Sequence, residues 1–168
     1  MGNGSLRAVA SGRQHDQATV LWCVPFGVAI SCIFGTSSGV IAAAGFLFGG
    51  LWLSPDLDTR SRSLQRWGPL GWLWWPYRRL IPHRSLWSHG PIIGTATRLL
   101  LLLTWTLLLS LMVPGLQAID LWDVLEQTHN HAPQQLLALV MGLEASTWLH
   151  LIQDGDPWPV EWTRRRQR

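Results

Sequence analysis

Four long apolar runs constrain this chain more than anything else in it. A bilayer core takes about 17 to 25 predominantly apolar residues per helix, and stretches near that length cover Ala18 to Phe34, Ser38 to Leu53, Pro91 to Val113 and Gln134 to Ile152. In 168 residues they leave room for a single domain. The fold class they predict is all-α, an integral membrane four-helix bundle over 1–168. Gly35-Thr36-Ser37 makes the first two runs a helical hairpin, with Gly27, Gly39, Gly45, Gly49 and Gly50 permitting close backbone approach. Ser54-Pro55 ends the second helix, Pro91 opens the third, and Pro114-Gly115 stops it. A loop to about Pro133 then carries Asp120, Asp123, Glu126, His129 and His131.

Between the second and third runs, residues 55 to 90 form a polar and aromatic segment. Its stretch Trp67 to Tyr77 is broken by Gly and Pro and too short to span. It is expected in the membrane interface, with indoles among the headgroups and Arg78 and Arg79 toward phosphate. The chain has twelve Trp, a residue that collects at that level of a bilayer.

Thirteen Arg and no Lys supply the positive charge. They flank apolar runs rather than covering a polar domain, which excludes a nucleic-acid partner and makes them topology and anionic-headgroup signals. With four spans, the N-terminus, the 55–90 segment and the basic tail 155–168 share one side. Twelve of the thirteen Arg lie there, with Arg98 within snorkelling reach, so that side is cytoplasmic. Cys23 and Cys32, nine helical residues and roughly 13 Å apart, are too distant for a disulfide and are expected as buried packing residues. The N-terminal stretch lacks the pattern of a secretory signal or of myristoylation.

The same map gathers ligand-type side chains. His15 and Asp16 precede the first helix, Asp56 and Asp58 follow the second, His83 and His89 precede the third, and His150 and Asp154 end the fourth. All eight fall at the cytoplasmic ends. Asp56-x-Asp58, read as extended, puts both carboxylates on one side, and His150-x-x-x-Asp154 puts both groups on one helical face. Imidazole with carboxylate suits Zn²⁺, Mn²⁺ or Fe²⁺, as one ion or two. Asp16 reads equally as a helix N-cap. Deeper in the spans, Arg98 and Glu144 are expected to pair across antiparallel helices, since isolated intramembrane charges are expensive.

The stretches Ser11-Gly-Arg-Gln-His-Asp-Gln-Ala-Thr19, Gly49-Gly-Leu-Trp-Leu-Ser-Pro-Asp-Leu-Asp58, Gln65-Arg-Trp-Gly68 and Pro82-His-Arg-Ser-Leu-Trp-Ser-His-Gly-Pro-Ile-Ile-Gly94 resemble a family of bacterial membrane proteins of unknown function described as metal-binding. More distantly, the order Pro-Asp-x-Asp, His-Arg-x-x-x-Ser-His and His-x-x-x-Asp is similar to the YdjM-like group of membrane-bound metal-dependent hydrolases. The resemblance implies a bacterial membrane and metal ligation by His15, Asp56, Asp58, His83, His89, His150 and Asp154.

These readings lead first to a metal-dependent hydrolase at the cytoplasmic membrane surface, with a phosphoester or lipid headgroup as substrate. One of Asp56, Asp58 or Asp154 would serve as general base, and Arg84 would hold an anionic group. Two other classes stay open: a divalent-metal binding or transport protein, and a membrane anchor or assembly factor with a structural metal. The sequence leaves the oligomeric state open.

Overall fold

A computed structural model describes residues 10–112 and 121–155, and every regular element among them is helical. Helix α1 (Gly12–Phe34) and α2 (Thr36–Leu51) form a hairpin. A bridging segment follows: a 3-10 turn Pro55–Asp58, α3 (Arg62–Arg66), a second 3-10 stretch Gly68–Trp74, α4 (Trp75–Leu80) and α5 (Leu86–His89). Then come α6 (Ile93–Met112), α7 (Leu121–His131) and α8 (Pro133–Gln153). Helices α1, α2 with its 3-10 extension, α6 and α8 are long and apolar enough to cross a membrane. The N-terminal Arg7 and the basic tail beyond residue 155 lie outside the described residues.

Three boundaries differ from expectation, each for a local reason. Helix α1 begins six residues before the apolar run because Ser11 and Gln14 form a capping box: Gln14 Oε1 accepts the Ser11 N–H at 2.7 Å, and Ser11 Oγ accepts the Gln14 N–H. His15 and Asp16 therefore ride on the helix, and Ser11 is the N-cap in place of Asp16. The hairpin turn is Gly35 alone, at φ 84°, a backbone conformation open to glycine. The stretch 121–131, expected as loop, is helix α7, with His129 exposed on it.

Helix α2 is the middle of the bundle, packed on α1 and α8. Glycine makes the closeness possible: a Cβ at Gly39 would strike Ser31 Oγ and the Gly27 carbonyl, and one at Gly142 would strike the Ala42 carbonyl. Helix α6 has no such seam. Leu100, Leu103, Leu107, Leu108, Leu109 and Leu111 all face outward, so the expected four-helix bundle is a three-helix core with α6 leaning on it. Its attachments are polar contacts to α8 near its start, the packing of Leu101 and Leu102, and the bridging segment, where Trp105 Nε1 donates to the Leu73 carbonyl at 3.0 Å.

That segment is more than an interfacial strip. Trp74 and Tyr77 join Leu53, Leu57 and Leu143 in a buried cluster, with Leu101 and Leu102 of α6 packed against it. Only some of its indoles face outward, Trp72 and Trp75 among them. The cysteines also divide: both are free, Cys23 is buried, and Cys32 is exposed on the outer face of α1 rather than packed.

The packing yields a stability comparison. Gly142→Leu overpacks the α2–α8 seam and is expected to cost about 2 kcal/mol or more, whereas Leu107→Ala on the outward face of α6 changes stability by about 0.5 kcal/mol at most. Thermal unfolding midpoints of the two variants in detergent check this.

Candidate metal centre

The ends of α1, α2 and α8 and the turn before α6 meet at one place, and the seven side chains expected as ligands meet there with them. They form three overlapping trios, each with its donor atoms within 4.8 Å of one another: His15, His150 and Asp154; Asp56, His89 and His150; and Asp58, His83 and His89. His150 links the first two trios and His89 the last two. His15 and His150 stack with ring centroids 3.9 Å apart.

Local chain geometry aims each group. The Pro55–Asp58 segment is a 3-10 turn, not an extended strand, with the Ser54 side chain accepting from the Asp56 N–H. Its two carboxylates reach opposite nitrogens of one ring: Asp56 Oδ1 stands 3.6 Å from His89 Nε2, and Asp58 Oδ2 stands 3.6 Å from His89 Nδ1. Asp58 Oδ1 also accepts from His83 Nδ1 at 2.9 Å. On α8, one turn separates His150 from Asp154, and His150 Nε2 lies 3.5 Å from both Asp56 Oδ1 and Asp154 Oδ2.

The surrounding hydrogen bonds choose the tautomers. Gln153 donates its amide to the Gln14 carbonyl, so its Oε1 accepts from His15 Nδ1 at 2.9 Å, while His15 Nε2 stands 3.0 Å from Asp154 Oδ1 and donates to it when the ring is protonated. Ser88 Oγ sits 3.2 Å from the Pro82 carbonyl, its acceptor, and 3.0 Å from His89 Nδ1, which leaves the His89 Nε2 lone pair toward Asp56. The sequence does not single out Gln153, and Ser88 enters only as the serine of the His-Arg-x-x-x-Ser-His string. Each lies beside a ligand-type residue, and that adjacency was the available signal.

Burial makes these groups telling. Asp58 Oδ2, His89 Nε2 and His150 Nε2 are sealed from water without a hydrogen-bond partner among the described residues, and Asp154 Oδ1, sealed as well, has His15 Nε2 beside it at 3.0 Å. Buried polar atoms are normally satisfied. Burial alone would raise the Asp154 carboxyl, but His15 beside it and the His150 imidazole outweigh that and hold it below the usual carboxylate range.

The remaining expected residues fall as follows. Asp16 stays outside the cluster: its carboxylate pairs with Arg62 and Arg66 and ties α3 to α1. Arg84 stands at the rim with Nη2 3.9 Å from Asp154 Oδ2, on a left-handed backbone at φ 55°.

Arg98 and Glu144 make no direct ion pair among the described residues. Arg98, wholly buried, turns back to donate to the Ser88 carbonyl at 2.8 Å and to Thr95 and Thr147 at 3.1 and 3.0 Å. Tyr77 is packed near it, and burial pushes that phenol up to about 12, so it stays neutral. Glu144 instead accepts the Ile92 N–H at 2.8 Å, where the backbone is again left-handed at φ 64°. Both charges therefore pin the turn that carries His83 and His89. The reason is that this turn offers a closer donor and a closer acceptor than either charge offers the other.

Comparison with known proteins agrees with the chemistry of this donor set. A protein of Aquifex aeolicus (strain VF5) named Uncharacterized protein is 43% identical over 56 residues, 33% of this chain and 39% of that relative, so the chain matches well under two thirds of the relative's length. No solved structure matches the chain. A family profile matches residues 10–166, all seven clustered side chains included, and the chain accordingly belongs to the family described as Uncharacterized metal-binding protein (DUF2227).

Proposed function

We propose that this protein is an integral membrane, metal-dependent hydrolase that works at the cytoplasmic surface of a bacterial membrane on a phosphoester, a lipid headgroup being the substrate class that best suits its setting. One observation carries the metal site. Two neighbouring ligand atoms about 2.1 Å from a shared four- or five-coordinate ion stand about 3.0 to 3.6 Å apart. The buried, unsatisfied His150 Nε2 lies 3.5 Å from two carboxylate oxygens, and His89 Nε2 lies 3.6 Å from one. These separations are long for hydrogen bonds and right for neighbours on one ion.

An imidazole nitrogen has one lone pair, so His150 Nε2 serves one ion only. The two trios that share it therefore make one centre, held by His15, Asp56, His89, His150 and Asp154. Asp58, its side chain wholly buried, and the half-exposed His83 stand behind it, with Asp58 orienting the His83 ring. Zn²⁺, Mn²⁺ and Fe²⁺ all accept this donor set.

When bound, such an ion supplies Lewis-acid polarisation and an acidified water. The chain supplies the rest. Asp56 or Asp154, whichever oxygen is left uncoordinated, accepts a proton from the attacking water. Arg84 at the rim is placed to hold a phosphoryl oxygen. The outward-facing leucines of α6 and the apolar outer face of α1 support insertion in a bilayer. The arginine distribution supports a cytoplasmic site with both termini on that side. A transport path receives less support, because Arg98, Thr95 and Thr147 hydrogen-bond to one another instead of lining a route.

Metal analysis of detergent-purified protein tests the centre. His150→Ala and Asp56→Ala are expected to lose the ion, while His83→Ala keeps it with affinity reduced about 10- to 100-fold; equal metal content in all of them would refute the site. Gln153→Leu, which removes the partner that fixes the His15 ring, should weaken binding by a similar factor with helical content unchanged. For the reaction, chelator-treated protein in lipid vesicles is expected to hydrolyse a phosphoester only after Zn²⁺, Mn²⁺ or Fe²⁺ is restored, and Arg84→Met should raise KM more than it lowers kcat. Metal-replete protein with no turnover on any phosphoester would end the hydrolase reading and leave the metal centre standing.

A further inference from the structure

A second cavity collects positive charge away from the metal centre. The bridging segment lines an open groove of about 410 Å³, with Arg60, Ser61, Gln65, Trp72, Trp75 and Arg78 among its lining, a volume in the range of about 300 to 1,000 Å³ usual for small-molecule sites. No acidic residue lines it. Other arginines of the chain are engaged elsewhere: Arg62 and Arg66 by Asp16, Arg84 by Asp154, and Arg98 by Ser88, Thr95 and Thr147, while exposed Arg79 lies outside this lining. Arg60 and Arg78 have no carboxylate partner among the described residues. Arg78 Nε is sealed from water and makes no hydrogen bond among them. A buried donor of that kind calls for an acceptor.

We propose that Arg60 and Arg78 form a binding site for the phosphate of an anionic membrane lipid. A guanidinium fork matches two phosphate oxygens at once. Ser61 Oγ already accepts the Leu64 N–H, so its own proton is left to donate, and the Gln65 amide adds another donor. The indoles of Trp72 and Trp75 are largely exposed beside these groups, as are Leu70 and Leu80 on the same segment. A free phosphate ion would leave that apolar surface bare, whereas the glycerol and upper acyl chain of a lipid would cover it. The site rests on the proposed membrane setting but not on the hydrolase reading, and it would hold the protein's bridging segment against the bilayer whatever the metal centre does.

Native mass spectrometry and lipid titration of the full chain in phosphatidylcholine nanodiscs, with and without phosphatidylglycerol, test it. Wild type is expected to retain phosphatidylglycerol, and Arg60→Gln with Arg78→Gln to weaken that retention about tenfold or more while metal content stays at the wild-type level. Arg60→Gln alone, at an exposed position, gives the same direction of change if the double variant folds poorly. Arg79→Gln, outside the cavity, should change little; a loss as large as that of the double variant would show diffuse surface charge and overturn the site. Inorganic phosphate that displaces the lipid completely at modest excess would overturn the lipid assignment. Wild type that retains lipid but holds no metal would refute the metal centre alone.

Discussion

The seam between α2 and α8 sets the geometry of everything else. With Gly142 against the Ala42 backbone and Gly39 against Ser31 and Gly27, three helices run close enough for their ends to share one small volume. A helix turned or shifted by a residue would carry His15 or His150 to another face, because side chains repeat every 3.6 residues. The ligand cluster is thus a consequence of backbone register. It is bought by glycine, at the expense of chain entropy.

Around that seam the polar groups form a graded system. The inner atoms, His89 Nε2 and His150 Nε2, lack hydrogen bonds and stand 3.5 to 3.6 Å from carboxylate oxygens. Behind them Gln153 fixes the His15 ring, Ser88 the His89 ring and Asp58 the His83 ring. Farther back, Arg98 and Glu144 hold the turn from Pro82 to Ile92 in place from two helices. Each layer limits the movement of the one inside it, which is what a metal site built from remote segments needs.

Much of this was legible in the sequence. The four long helices follow from hydropathy, and their parity alone places His15, the Asp56 and Asp58 turn, the His83 and His89 turn, and the His150 and Asp154 pair at one end. The details that escaped were those decided by competition between partners. Asp16 met two arginines on α3 rather than ions, and Glu144 met a left-handed backbone N–H rather than Arg98. Trp74 entered a core that only the folded bridging segment creates. The early start of α1 was written in Ser11-Gly-Arg-Gln14, a capping pattern readable without any structure.

The proposed metal centre requires imidazoles from three separate segments to meet one ion. X-ray absorption at the metal edge of the loaded, detergent-purified protein measures that directly. His15, His89 and His150 should give the multiple-scattering signature of about three imidazoles in a nitrogen and oxygen shell at about 2.0 to 2.2 Å, with no sulfur. A shell of oxygen alone, or one containing sulfur, would contradict it.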